Sequence, residues 1–265
     1  MRKWLFGLFL LLIISGCEAN ENHQDEVVNN NHKHLNNIET KAEQYPDSLG
    51  IQLQLVNAYD SIGDAKKALS HLNKLVDADK GNYGLWFRKA QLEGALSDTN
   101  AAIRSYNTAL KIYPSPEAML NLANLYAERR NEQCLSLVNT VLKMGLGRET
   151  DAHCYFISGV YYARKFEIKQ AESAFDKCIA NNYTYMEAYI EKGLLYFDMK
   201  NYRQALSIFQ FASTVNNLYP DAYYYIARCY EQLGLKDSAI LRFKHALSLD
   251  PNLQEAKIGL KRLDN

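Results

Sequence analysis

The sequence predicts an all-α fold: a solenoid of about six helical hairpins over residues 49–253, closed by a C-terminal capping helix. Two observations predict it. The first is a shared register. Gly159, Gly193 and Ala227 lie 34 residues apart, and so do Tyr155, Tyr189 and Tyr223; Tyr162, Tyr196 and Tyr230; Ala171, Ala205 and Ala239; and Phe175, Phe209 and Phe243. The second is turn chemistry within each period. Ser61-Ile62-Gly63-Asp64 and Gln232-Leu233-Gly234 offer the left-handed position that ends a helix. A fixed period of this length marks stacked supersecondary units, because one hairpin cannot bury its apolar face alone.

Each element follows from that register. The repeat at 49–82 carries Tyr59, Gly63, Ala68 and Leu72 in the matching places, and the repeat at 83–116 carries Trp86, Ala90, Ala102, Tyr106, Ala109 and Pro114. The repeat at 117–151 is irregular. Leu122, Ala123 and Tyr126 fit its first helix, but its second fits only with a turn one residue short. That puts Cys134 where alanine is usual and Val138 where phenylalanine is usual. Met144-Gly145-Leu146-Gly147 then adds length, so two halves are expected to join near 144–151 with a local bend or irregular packing. Regular repeats follow at 152–185, 186–219 and 220–253. Small residues such as Gly193 and Ala205 let paired helices approach, while Tyr196 and Phe209 fill the space beside the crossing. Pro114, Pro220 and Pro251 sit at helix boundaries, where a missing N–H costs little. A flanking helix is expected within 35–48 and a capping helix at 254–265, with Lys257, Lys261 and Arg262 on its outer face.

These residues resemble the tetratricopeptide repeat. The resemblance implies paired antiparallel helices and a concave groove lined mainly by the first helix of each pair. It covers residues 49–253. Repeat arrays of this kind bind protein or peptide segments, so the resemblance implies a non-enzymatic interaction scaffold.

The N-terminus reads separately. Arg2 and Lys3 precede an apolar stretch from Trp4 to Ile14, too short to cross a bilayer core comfortably. With Ile14-Ser15-Gly16-Cys17 this resembles the lipobox of bacterial lipoprotein precursors. Residues 1–16 are then a signal peptide, and Cys17 becomes the acylated first residue. Residues 17–34 read as a polar tether reaching on the order of 50 Å. The resemblance implies a chain held by lipid on a bacterial inner or outer membrane and facing the periplasm. The architecture is similar to the pilotin lipoproteins of type IV pilus secretins, and to tetratricopeptide-repeat lipoproteins of β-barrel assembly and cell-wall enzyme regulation.

Chemistry-bearing motifs do not emerge. Lys+Arg and Asp+Glu each number 30, a balance that does not point to nucleic acid. No phosphate loop, nucleophile elbow or metalloprotease helix motif occurs, so no catalytic residue, cofactor or metal is expected. His23, His32 and His34 read as solvated residues of the tether. Cys134, Cys154, Cys178 and Cys229 form no C-x-x-C pair, and sequence leaves their oxidation state open.

The expected binding residues come from the inward positions of each first helix. In the first three repeats these include Asn57, Phe87, Gln91 and Asn124. In the last three they are Phe156, Val160 and Arg164; Ile190, Leu194 and Phe197; and Tyr224 and Arg228, with His153, Glu187, Asp221 and Glu231 beside them. The apolar members stand where solvated residues would cost less. A partner, internal packing and a homodimer contact each account for them. A carboxylate clamp is not expected, since Leu53 and Glu117 stand where such domains carry lysine. An envelope protein segment with apolar anchors fits the groove better.

Overall fold

A computed structural model describes residues 34–263. Among these, residues 34–44 form α1. The hairpins follow as α2 (Leu49–Ser61) with α3 (Ala65–Ala78), α4 (Tyr83–Ala95) with α5 (Thr99–Ile112), and α6 (Pro116–Glu128) with α7 (Gln133–Lys143). Then come α8 (Arg148–Arg164) with α9 (Ile168–Asn181), α10 (Met186–Asp198) with α11 (Tyr202–Val215), and α12 (Pro220–Gln232) with α13 (Lys236–Leu249), before the cap α14 (Gln254–Leu263). This is the predicted all-α array of six hairpins. Cys17, His23 and His32 lie outside the described residues.

The described residues fall into two compact units that divide between Ala118 and Met119. The sequence places the join near 144–151. There the structure instead packs α7 against α8. The extra residues form a short connection through Gly145 and Gly147, both at positive φ, and one added N-terminal turn on α8. Cys134 and Val138 are buried in the slots proposed for them.

In the first unit, Leu35, Ile38 and Ala42 of α1 pack into a core with Leu55, Val56, Tyr59, Leu72 and Leu85. Gln52 Nε2 donates to Ala42 O at 2.9 Å, tying α1 to α2. In the second unit the fully buried Phe175, Phe209 and Phe243 each fill one hairpin. The glycines opposite are sterically required. A Cβ on Gly193 would stand 2.3 Å from the Phe209 ring, and one on Gly159 would stand 2.5 Å from Phe175.

Every hairpin turn uses one left-handed residue: Gly63, Ser97, Arg130, Phe166, Lys200 and Gly234. Each turn closes with an N–H donating back to the carbonyl five residues earlier, as from Glu167 to Tyr162, Asn201 to Tyr196 and Leu235 to Tyr230. This Schellman geometry satisfies carbonyls that a helix end leaves open. Four of the six turn residues are not glycine, and left-handed backbone costs an L-residue about 1–2 kcal/mol. Phe166→Gly and Lys200→Gly should therefore each stabilise the fold by about 0.5–1 kcal/mol, after the greater chain entropy of glycine is offset. Urea unfolding of the single variants measures this.

The tyrosine register at 155, 189 and 223 has a structural reason that spacing alone does not reveal. Tyr189 Oη donates to Tyr183 O at 3.0 Å, and Tyr223 Oη donates to Asn217 O at 3.1 Å. In the first unit Trp86 Nε1 donates to Lys80 O at 2.9 Å from the same repeat position. Tyr189, Tyr223 and Trp86 thus each latch the loop that precedes their own helix. A residue 22 positions on completes the contact: Lys177 over Tyr155 at 5.6 Å, Phe211 against Tyr189 at 5.8 Å, and His245 against Tyr223 at 3.9 Å.

Candidate functional site

In the second unit the first helices α8, α10 and α12 stand side by side, and α14 continues the row. Inward residues of successive repeats therefore meet. Val160, Ile190 and Leu194 are only 2%, 6% and 2% exposed, and Tyr224 is buried as well. Internal packing accounts for the apolar character of these positions, so they do not form an open apolar patch. Phe156, Arg164, Phe197 and Arg228 keep partial exposure and remain as the accessible members of the set.

Ion pairs link these helices across repeats. Arg164 of α8 binds both carboxylate oxygens of Glu128 on α6, at 2.9 and 3.0 Å, and reaches Glu191 on α10 at 3.3 Å. Glu191 is 3% exposed. Farther along, Glu231 of α12 accepts from Arg262 of α14 at 2.5 and 2.7 Å and lies 3.3 Å from Arg228. Arg262 thus faces the array, although the sequence places it on the outer face of the cap. Arg228 also donates to Tyr224 Oη at 2.9 Å, and its guanidinium lies 5.5 Å from the Phe197 ring centre. The first unit repeats the theme. Arg88 Nη2 donates to Asp60 at 2.7 Å and Asn57 at 3.2 Å, while its Nη1 donates to Gln91 at 3.3 Å. Phe87 packs between Tyr83 and Tyr106. Asn124 is half-buried on α6.

The inward repeat positions hold one end of each bridge; they do not point to Arg88, Glu128 or Glu191, and Arg262 is expected on the outer face of the cap instead. Their partners lie 27–36 residues away and not at one fixed repeat position.

Phe156 is held by Tyr185 at 5.0 Å and Phe175 at 6.0 Å, and His153 Nδ1 lies 2.7 Å from Tyr185 Oη. Burial lowers the His153 pKa and raises that of Tyr185. The folded-state value of His153 thus lies below its unfolded value of about 6.5. As pH falls, the unfolded chain takes up this proton first, and stability is lost below about pH 6.5. His71, lowered chiefly by burial, acts with the same sign. Asp221 and Glu93, raised chiefly by burial, act oppositely, gaining stability as pH falls through their folded values. The urea midpoint should therefore drop between about pH 7.5 and 5.5, and His153→Phe should flatten that drop.

Cys134, Cys154, Cys178 and Cys229 are all free and buried. Burial pushes their thiols up to about 12, 11, 12 and 12 respectively. Such thiols pack as small apolar groups and are poor nucleophiles.

The fold and this face together define a helical-repeat scaffold. Sequence profiles described as tetratricopeptide repeat match residues 87–133 and 196–257. A tetratricopeptide-repeat protein from Parabacteroides merdae ATCC 43184 superposes with a TM-score of 0.74 at 18% identity, over 93% of this chain and 97% of that one. PilW, a widely conserved type IV pilus biogenesis factor, superposes with a TM-score of 0.64 at 19% identity, over 80% and 97%. No curated protein sequence matches. The chain is a tetratricopeptide-repeat protein, and its fold is that of protein–protein interaction scaffolds.

Proposed function

We propose that the chain is a lipid-anchored scaffold or assembly factor of the bacterial cell envelope, binding a protein segment on its first-helix face. The observation that carries the binding reading is the accessible aromatic pair Phe156 and Phe197. Ring contacts and Arg228 hold both side chains in place, so little side-chain entropy remains to be lost on binding. Within the second unit Arg164 and Asn124 add polar groups to this face; in the first unit Asn57, Phe87 and Gln91 line its own first-helix face. The anchor reading rests on the sequence Ile14-Ser15-Gly16-Cys17 behind a charged and apolar leader. An acylated Cys17 with more than one chain would hold the scaffold stably on a bilayer and raise the effective concentration of partners there.

The test is photocrosslinking in cells from Phe156 and Phe197, with Cys17→Ala alongside. Capture of one envelope protein, together with loss of acyl labelling and membrane retention in Cys17→Ala, supports the reading. Unchanged labelling and retention would overturn the anchor. Capture of only the chain itself, with a sedimenting dimer lost on Phe156→Asp or Phe197→Asp, would favour a self-associating structural lipoprotein instead.

A further inference from the structure

The hairpin turns of the second unit form an edge that the first-helix face does not use. α8, α10 and α12 run side by side, so the turns that end them lie at one end of the stack. Neighbouring turns touch. The Arg130 guanidinium, in the turn after α6, lies 5.5 Å from the ring centre of Phe166, in the turn after α8. The turns after α8, α10 and α12 each project one large apolar side chain: Phe166, Met199 and Leu235 are 74%, 57% and 49% exposed. Phe166 also holds a left-handed backbone, at φ 61°. A bulky L-residue adopts that conformation only at a cost, and no burial offsets it here. Fold stability alone selects glycine, as in the equivalent turns at Gly63 and Gly234. A strained and exposed ring in such a place points to a role outside the fold.

Charge separates along the same axis. Residues 129–132, 165–169, 198–203 and 235–237 hold seven cations against four carboxylates. At the opposite end of the stack, residues 148–151, 182–187, 216–221 and 250–255 hold one cation against six carboxylates. On the turn edge Lys165 is engaged by Glu167 at 2.9 Å. Lys169, Lys200, Arg203 and Lys236 are exposed, and none of the four forms an ion pair among the described residues.

From this combination we infer that the turn edge of the second unit rests on an anionic bilayer surface. Phe166, Met199 and Leu235 enter the headgroup layer, while Lys169, Lys200, Arg203 and Lys236 face the lipid phosphates. Charge complementarity selects both the occupant and its orientation, because the acidic end is repelled. Nucleic acid offers the charge without an apolar layer for the three tips. A flat, deformable surface receives tips from separate turns together, whereas a protein groove must match each one. The hairpins then run away from the bilayer, and the first-helix face stays open to partners.

This contact presupposes a membrane, as the proposed anchor does, but not the acyl group, so it is measured without acylation. The full chain with Cys17→Ala carries Phe166→Trp as a local reporter, and the emission of the same chain without the reporter is subtracted. On mixed phosphatidylglycerol and phosphatidylcholine vesicles the reporter should shift to the blue and be quenched by brominated lipid. Both effects should fade with salt and be absent on phosphatidylcholine alone. Adding Lys169→Gln, Lys200→Gln, Arg203→Gln and Lys236→Gln should abolish them, since each such charge near an anionic surface contributes about fivefold in affinity. Neutralising Lys143, Lys177, Lys244 and Lys257 instead, which are exposed nearer the opposite end, should leave them in place. Unchanged urea midpoints in both four-charge variants show that lost contact is not lost folding. An emission unmoved by anionic vesicles, or moved equally in the first four-charge variant, would overturn the proposal. So would destabilisation by Phe166→Gly, which would assign the ring to the fold. If Cys17→Ala retains its acyl label while the reporter behaves as expected, the anchor falls and this contact stands. If the anchor is lost as expected and the reporter does not move, the anchor stands and this contact falls.

Discussion

Phe209→Ala is expected to destabilise the second unit by about 3–5 kcal/mol, the range for truncating a fully buried phenylalanine. Phe209 is wholly buried and fills the crossing of α10 and α11. Its ring lies so close to Gly193 that a Cβ there would stand 2.3 Å away. The reverse change, Gly193→Ala, should also destabilise, by about 1–3 kcal/mol, because the hairpin must spread to admit a methyl group. The two positions share one volume. Gly193→Ala with Phe209→Leu should therefore cost less than the sum of its parts. The next hairpin shows the alternative solution, with Ala227 sixteen residues before the buried Phe243. Far-UV circular dichroism during urea unfolding gives all three values. Full additivity would show that the contact is not shared.

Arg164→Met should cost about 3–5 kcal/mol, the penalty for removing one partner of a buried ion pair. Glu191 is nearly inaccessible, and the Arg164 guanidinium lies 3.3 Å from its carboxylate. Adding Glu191→Met should recover most of the loss, since apolar groups of similar volume often replace such pairs at little cost. Glu128 is the more exposed end of the same bridge, and Glu128→Ala should cost only about 0.5–1 kcal/mol. An equal loss from Glu128→Ala and Arg164→Met would show that Glu191 does not set the penalty. Binding offers a second readout. The bridge links α6, α8 and α10, so Arg164→Met should also weaken the partner binding proposed for Phe156 and Phe197.

The hairpins were legible in the sequence because steric necessity writes them at fixed intervals. Only glycine fits beneath Phe175 and Phe209 without a shift, and the turn after each first helix recurs at one place. The irregular third repeat was legible for the same reason, since Cys134 and Val138 keep their slots despite a shortened turn. The face was legible only in part. Val160, Ile190 and Leu194 occupy inward positions, but side-by-side packing of the first helices covers them, and periodicity does not distinguish inward from accessible. The bridges were hidden for a different reason. Arg88 and Glu191 share one repeat position, Arg164 and Glu231 use others, and no period connects them. The unit boundary at Ala118 lies inside α6, where no turn residue marks it.

The latches at Trp86, Tyr189 and Tyr223 give the array a direction in time. Each holds a carbonyl six residues behind it, in the loop that ends the previous repeat. A ribosome delivers the chain from its N-terminus, so the loop emerges before the side chain that fastens it. Every hairpin so latched is born unfinished, and it is completed only when the next helix has begun to form. A chain halted after residue 219 would carry the Asn217 carbonyl without its tyrosine. Such stalled intermediates should be most open to proteases at their newest loop, and the point of vulnerability should move forward by one repeat with each hairpin made.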